Sequence, residues 1–145
     1  MTRVFKKTII KSALESLIIQ LKEELAKEGF TITAVTDFQQ EFQDRLGTHF
    51  KKYKILSVHV PYLSQQMLSF EPLEGVVLPC SITMIETHPG EVEIIPVNVT
   101  ELISHDMQDS SLQNLAVEVS KRLERAIGNL EREPTGTPDL FTSWG

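Results

Sequence analysis

The chain has 145 residues, 41% of them apolar and 23% charged, with a formal net charge of −6 at pH 7. That is the length of one domain with enough apolar surface for a core. The acidic balance argues against a nucleic-acid partner, whose phosphates are neutralised by Lys and Arg. A single cysteine excludes an intramolecular disulfide and suits a reducing compartment. No stretch approaches the roughly 20 apolar residues of a membrane span, and the mixed charged and apolar start lacks a leader-like apolar run, so the expectation is a cytoplasmic protein.

Taken in chain order, Val4 to Ile10 is rich in β-branched residues and predicts a strand. Ser12 and Glu15 have the spacing of a capping box, opening a helix that carries Leu14, Leu17, Ile18, Leu21 and Leu25 on one stripe. Gly29 falls where a left-handed C-terminal residue would end it. Phe30, Ile32 and Ala34 alternate with Thr31 and Thr33, a half-buried strand. Asp37 can then cap a short helix with Phe38, Phe42 and Leu46 on one side and Gly47 at its end.

From Tyr53 to Val60 both alternating sets contain apolar residues, the pattern of a strand inside the sheet or covered on both faces. Pro61 suits the first turn of a short helix presenting Leu63, Met67 and Leu68 and running to about Phe70. Gly75 to Glu86 is strand-like but holds Pro79, which marks a bulge, an edge or a bend. His88-Pro89-Gly90 predicts a turn, and Glu91 to Val97 the returning arm of a hairpin. The last helix begins at Asp109 or Ser110 and carries Leu112, Leu115, Ala116, Val119, Leu123, Ala126, Ile127 and Leu130.

The order β-α-β-(short α)-β-(short α)-β-β-α, with two long amphipathic helices, predicts an α+β two-layer sandwich: a mainly antiparallel sheet with both long helices on one face. Residues 1–131 form this single domain. Residues 132–145 form a tail whose Phe141 and Trp144 are candidate contacts with the domain or a partner subunit.

No G-x-G-x-x-G, P-loop, G-x-S-x-G, C-x-x-C or H-E-x-x-H motif is present, and no cofactor is expected. One cysteine and four scattered histidines do not have the spacing of a structural zinc site. The basic clusters, Arg3, Lys6, Lys7 and Lys11, then Lys51, Lys52 and Lys54, are short, and only Tyr53 stands beside them as a stacking aromatic.

Cys80 follows Pro79 and alternates with Ile82 and Met84. It reads either as a small buried apolar residue or as a reactive or soft-metal-binding thiol exposed at an irregular strand. His59, at a strand end before a helix, alternates with Ser57 and Ile55; if the two strands are neighbours, His59 and Cys80 can face one pocket and bind a soft metal. Cys80, His59, Ser81 and Ser57 are therefore the candidate ligand-binding residues. Cys80 and His59 are also the candidate metal donors. His49, His88 and His105 lie in predicted loops, and Met67 and Met84 read as core residues.

Tyr53-Lys54-Ile55-Leu56-Ser57-Val58-His59-Val60-Pro61, followed by Gly75-Val76-Val77-Leu78-Pro79-Cys80-Ser81-Ile82, resembles the domain of unknown function 302 family, most specifically at Leu78-Pro79-Cys80. The resemblance covers about residues 4 to 131 and extends to Glu28-Gly29-Phe30 and Arg45-Leu46-Gly47. His59 and Val60 stand where the family usually has Cys and Asn, and Ser81 where it has Asn, so a site built on those groups is altered here. The resemblance implies a TATA-binding-protein-like fold and a homodimer, with no established activity; the fold name does not imply DNA binding. The expected role is a non-enzymatic small-ligand-binding or protein-interaction module. The alternative is a thiol- or metal-dependent protein centred on Cys80 with His59.

Overall fold

A computed structural model describes residues 5–69, 80–98 and 110–131. Its elements run β1 (Lys7–Ile10), α1 (Leu14–Lys27), β2 (Thr31–Asp37), α2 (Phe38–Leu46), β3 (Tyr53–His59), α3 (Pro61–Leu68), β4 (Cys80–His88), β5 (Glu91–Val97) and α4 (Ser110–Gly128). The five strands form one sheet in the order β1-β5-β4-β3-β2, with every neighbouring pair antiparallel. This is the expected α+β two-layer arrangement.

Cross-strand register fixes what each face of the sheet carries, because residues directly opposite in an antiparallel pair share a face. On one face Ile9 lies beside Val92, Ile94 beside Met84, and Leu56 beside Ile82, with Val58 beside Cys80. All of these are buried. They meet Leu14, Leu17, Leu21 and Leu25 of α1 and the Leu112-to-Leu130 stripe of α4 in one core. Leu115 is half-buried at its margin. The two long helices pack on each other and on this same side, so the other face of the sheet is left without them.

Three ties hold the layers in place. Arg122 Nη1 of α4 donates to the Glu28 carbonyl (3.0 Å), and the Arg125 guanidinium clasps the Glu28 carboxylate (2.9 Å), fastening the end of α1 to α4. Gly29, at φ +88°, makes the reversal there, and a Cβ on it would sit 3.3 Å from the Arg122 guanidinium. Lys7 Nζ donates to the carbonyls of Gly128 and Leu130, each at 2.8 Å, so a cation from the edge strand closes the negative end of α4. Asn98 Nδ2 donates to the Ala116 carbonyl and to Ser120 Oγ, tying the end of β5 to the same helix.

Several sequence expectations shift. The capping box does not form: α1 starts at Leu14 with Ala13 in the N-cap position and no side-chain cap bond. The cause is a turn at Lys11, which takes a left-handed φ of 56° and brings Ser12 N–H to the Gly90 carbonyl (3.1 Å), burying Ser12 under the β4–β5 turn. Ala34 leaves the alternation expected from Phe30 and Ile32, because a register shift between Ile32 and Ala34 turns it to the helix-free face. Phe30 is buried and Ala34 exposed. Leu68 is exposed at the end of α3, while Leu63 and Met67 are buried. Asp37 does cap α2, its carboxylate accepting from Gln40 N–H at 3.1 Å, and Gly47 ends that helix at φ 65°. The predicted strand before Cys80, with Pro79, lies outside the described residues, as do His105 and the tail with Phe141 and Trp144.

Candidate functional site

β3 and β4 place three of the four candidate residues together and send the fourth to the other side. Ser57 is directly opposite Ser81, so their side chains share a face at about 4.5–5.5 Å between Cβ atoms. His59 is two residues further along β3 and opposite Thr31 of β2, on that same face. Cys80 pairs with Val58, so its side chain enters the helix-covered layer, where it is 4% exposed. The shared pocket expected for His59 and Cys80 is not formed by these two, because one step along a strand reverses the side of the sheet. Cys80 instead fits its alternation with Ile82 and Met84.

His59 Nδ1 lies 2.8 Å from Ser64 Oγ, at half-buried positions. The first turn of α3 makes this contact: Pro61 opens the helix, Ser64 N–H donates to the Val60 carbonyl (2.8 Å), and the hydroxyl is carried over the end of β3. Among the described residues no carboxylate orients the imidazole, so the His–Ser pair lacks the third member of a catalytic triad. What the group offers is hydrogen bonding: two facing hydroxyls and an imidazole on a β surface. Among the described residues no cluster of three or more His, Cys, Asp or Glu is arranged to hold a metal ion. His49 is exposed in a loop, and His88, at the end of β4, is exposed 3.7 Å from the Glu91 carboxylate.

The surroundings of this polar group are apolar. Three rows cross the middle of the helix-free face: Val97, Ser81, Ser57 and Ala34; Ile95, Thr83, Ile55 and Thr36; and Glu93, Ile85 and Tyr53, with Thr8 beyond Glu93, while Ile10 stands beside Glu91 at the hairpin end. Glu93 is the one charge in these rows, and Lys6 Nζ lies 3.7 Å from it. A sheet face meant for water alone alternates to polar residues. Here isoleucines, a valine and small hydroxyls stand instead, Ile55, Ile85 and Ile95 half-buried and Val97 exposed.

At one end of the face, which the long helices leave open, the short helix α2 brings an aromatic cluster of which spacing had grouped only Phe38 and Phe42; Leu46, grouped with them, is exposed. Phe38 and Phe42 of α2 meet Phe50 and Tyr53, with Phe38 edge-on to Tyr53 (5.7 Å) and Phe42 edge-on to Phe50 (5.0 Å). The signal available was the i, i+4 spacing of Phe38 and Phe42. Of the basic residues beside it, Lys51 Nζ lies over the Phe50 ring, 5.7 Å from its centroid, and the other two face carboxylates. Lys52 is hydrogen-bonded to Glu15, holding the Glu15 carboxyl below its usual range and the Lys52 ammonium above its own, and Lys54 lies 3.8 Å from Asp37.

The model of the family described as "Domain of unknown function DUF302" matches residues 5–130. The chain belongs to the DUF302 family. A solved DUF302 structure, that of an uncharacterised conserved protein from Bacillus stearothermophilus, matches with a TM-score of 0.73 at 24% identity, covering 88% of this chain and 98% of that one. This likeness concerns the fold. No curated protein matches the chain. Of the three positions where the resemblance implied a departure from the family, His59 and Ser81 are on the helix-free face and Val60 is buried. Among the described residues no helix is long and apolar enough to cross a membrane.

Proposed function

We propose that this DUF302 protein is a cytoplasmic, non-enzymatic binding domain that acts as a homodimer and uses the helix-free face of its sheet to hold a small ligand or a protein partner. The observation that carries the reading is the composition of the middle of that face: the three rows beside the Ser57, Ser81 and His59 group hold apolar and hydroxyl side chains with one charge, Glu93, and a second acid, Glu91, stands at the hairpin end opposite Ile10. Such a face loses little on desolvation and gains from apolar contact, while the hydroxyls and imidazole can fix the orientation of a polar group. A thiol- or metal-dependent role for Cys80 with His59 is weakened by their opposite sides and by the burial of Cys80.

The test is a thermal-shift screen of metabolite-sized compounds on the native protein, on Ser81→Lys and on the remote Lys121→Glu variant, alongside light scattering. A compound that raises the melting temperature of the native and Lys121→Glu proteins but not of Ser81→Lys supports the reading. Stabilisation that survives both Ser81→Lys and Thr83→Lys contradicts this face as the site.

A further inference from the structure

Among the described residues the sheet has two open edges, β1 and β2, and they are not alike. β1 is four residues long and starts with Lys7, directly after Lys6. A short, charged edge resists a further strand. β2 is seven residues long, carries no charge from Thr31 to Thr36, has no proline, and is rich in β-branched side chains. It is exposed along most of its length. Val35 is 49% exposed although its neighbour across the pair, Leu56, is fully enclosed. The core layer thins along β2, reaching Ile32 but not Val35, and among the described residues no further strand covers this edge.

We infer that β2 pairs antiparallel with β2 of a second copy about a twofold axis, joining two five-stranded sheets into one of ten. This rests on the homodimer reading above and adds where the copies meet. Three observations favour a second copy as the occupant. Each chain carries a net charge of −6, so two copies repel at most surfaces, yet self-pairing along Thr31–Thr36 opposes no like charges. Among the described residues only one edge is suited to pairing, so the contact is isologous and closes at two copies rather than growing into a filament. The strand is regular from Ala34 to Asp37, beyond the register shift, which centres the pairing near Val35. A twofold axis normal to the sheet keeps both helix-free faces on one side, so the proposed binding face becomes continuous across the dimer.

The experiment is size-exclusion chromatography with light scattering on the full chain at micromolar concentration. The native protein is expected to be a dimer, Val35→Lys a monomer with unchanged far-ultraviolet circular dichroism, and Ile55→Lys, on the helix-free face, still a dimer. Oxidised Val35→Cys is expected to form a covalent dimer of native size, since opposed residues of an antiparallel pair have Cα atoms about 4.5–5.5 Å apart, within disulfide reach. A dimer that survives Val35→Lys, or a Val35→Cys dimer that does not cross-link, overturns the edge contact and leaves the homodimer standing. A native protein that is monomeric overturns both.

Discussion

Adjacent lysines on β1 and its approach separate the two faces of the sheet. Lys7 turns to the helix layer and donates to the Gly128 and Leu130 carbonyls, both at 2.8 Å. Lys6 turns the other way, its ammonium 3.7 Å from Glu93 with the two side chains 50% and 25% exposed. Hydrogen bonds to a charged group are worth about 1.5–3 kcal/mol each, and a cation at a helix C-terminus roughly 0.3–1 kcal/mol. The two bonds share one ammonium and one is exposed, so Lys7→Met, which keeps the aliphatic stem, should cost about 2 kcal/mol rather than the sum. An exposed pair such as Lys6–Glu93 contributes about 0–0.5 kcal/mol, so Lys6→Met sets the baseline. Urea unfolding followed by circular dichroism, with all variants at one protein concentration, reads the difference. At about 4 °C per kcal/mol for a domain of this size, Lys7→Met should lower the melting temperature by roughly 8 °C. Equal losses for the two lysines, or a Lys7→Met loss under about 0.5 kcal/mol, would refute the assignment of faces and the closure of α4 by β1.

Other substitutions probe the same structure. Ile82→Ala, in the enclosed layer, should cost about 2–5 kcal/mol in urea unfolding, whereas its neighbour Thr83→Ala on the other face should cost under about 1 kcal/mol. Lys11→Gly should stabilise the protein by about 0.5–1 kcal/mol, since it relieves a left-handed residue at φ 56° at the cost of a looser unfolded chain; a loss in calorimetry would show that the Lys11 side chain is needed. Asp37→Ala should cost about 1 kcal/mol through the lost cap of α2, with Asp37→Asn recovering most of it. The Glu15 carboxyl is held below its usual range by Lys52, so its contribution is present above the unfolded carboxylate pKa and lost as pH falls through the lower folded value. Glu15 is 56% exposed, so solvent screening keeps that contribution small. Glu15→Gln should flatten the acid side of the stability curve slightly, and an unchanged curve would mean the pair contributes nothing.

Periodicity made the architecture legible. The Leu14-to-Leu25 and Leu112-to-Leu130 stripes allow one arrangement on an antiparallel sheet, and the hairpin turn at Gly90, with φ +81°, lies where His88-Pro89-Gly90 placed it. What the spacing could not carry was phase across strands. Cys80 and His59 each had a clear alternation set, but whether the sets faced one side depended on register, and Val58 opposite Cys80 decided it. The same holds for Ser57 and Ser81, whose pairing is a two-strand fact with no trace in either segment alone. Local turn chemistry also misled: Ser12 and Glu15 match a cap by spacing, but the turn at Lys11 commits Ser12 to the Gly90 carbonyl and moves the helix start. The open edge at β2 was visible only as an uncharged run until the strand order placed it outermost.

The claim on which the functional reading depends is that one sheet face is enclosed by the helices and the other is available for contact. Relaxation of isoleucine methyl signals by a water-soluble paramagnetic agent measures this residue by residue. Strong relaxation of Ile10, with intermediate effects at Ile55, Ile85 and Ile95, and little at Ile9, Ile82 and Ile94, is the expected pattern. Equal protection of both sets would contradict the account.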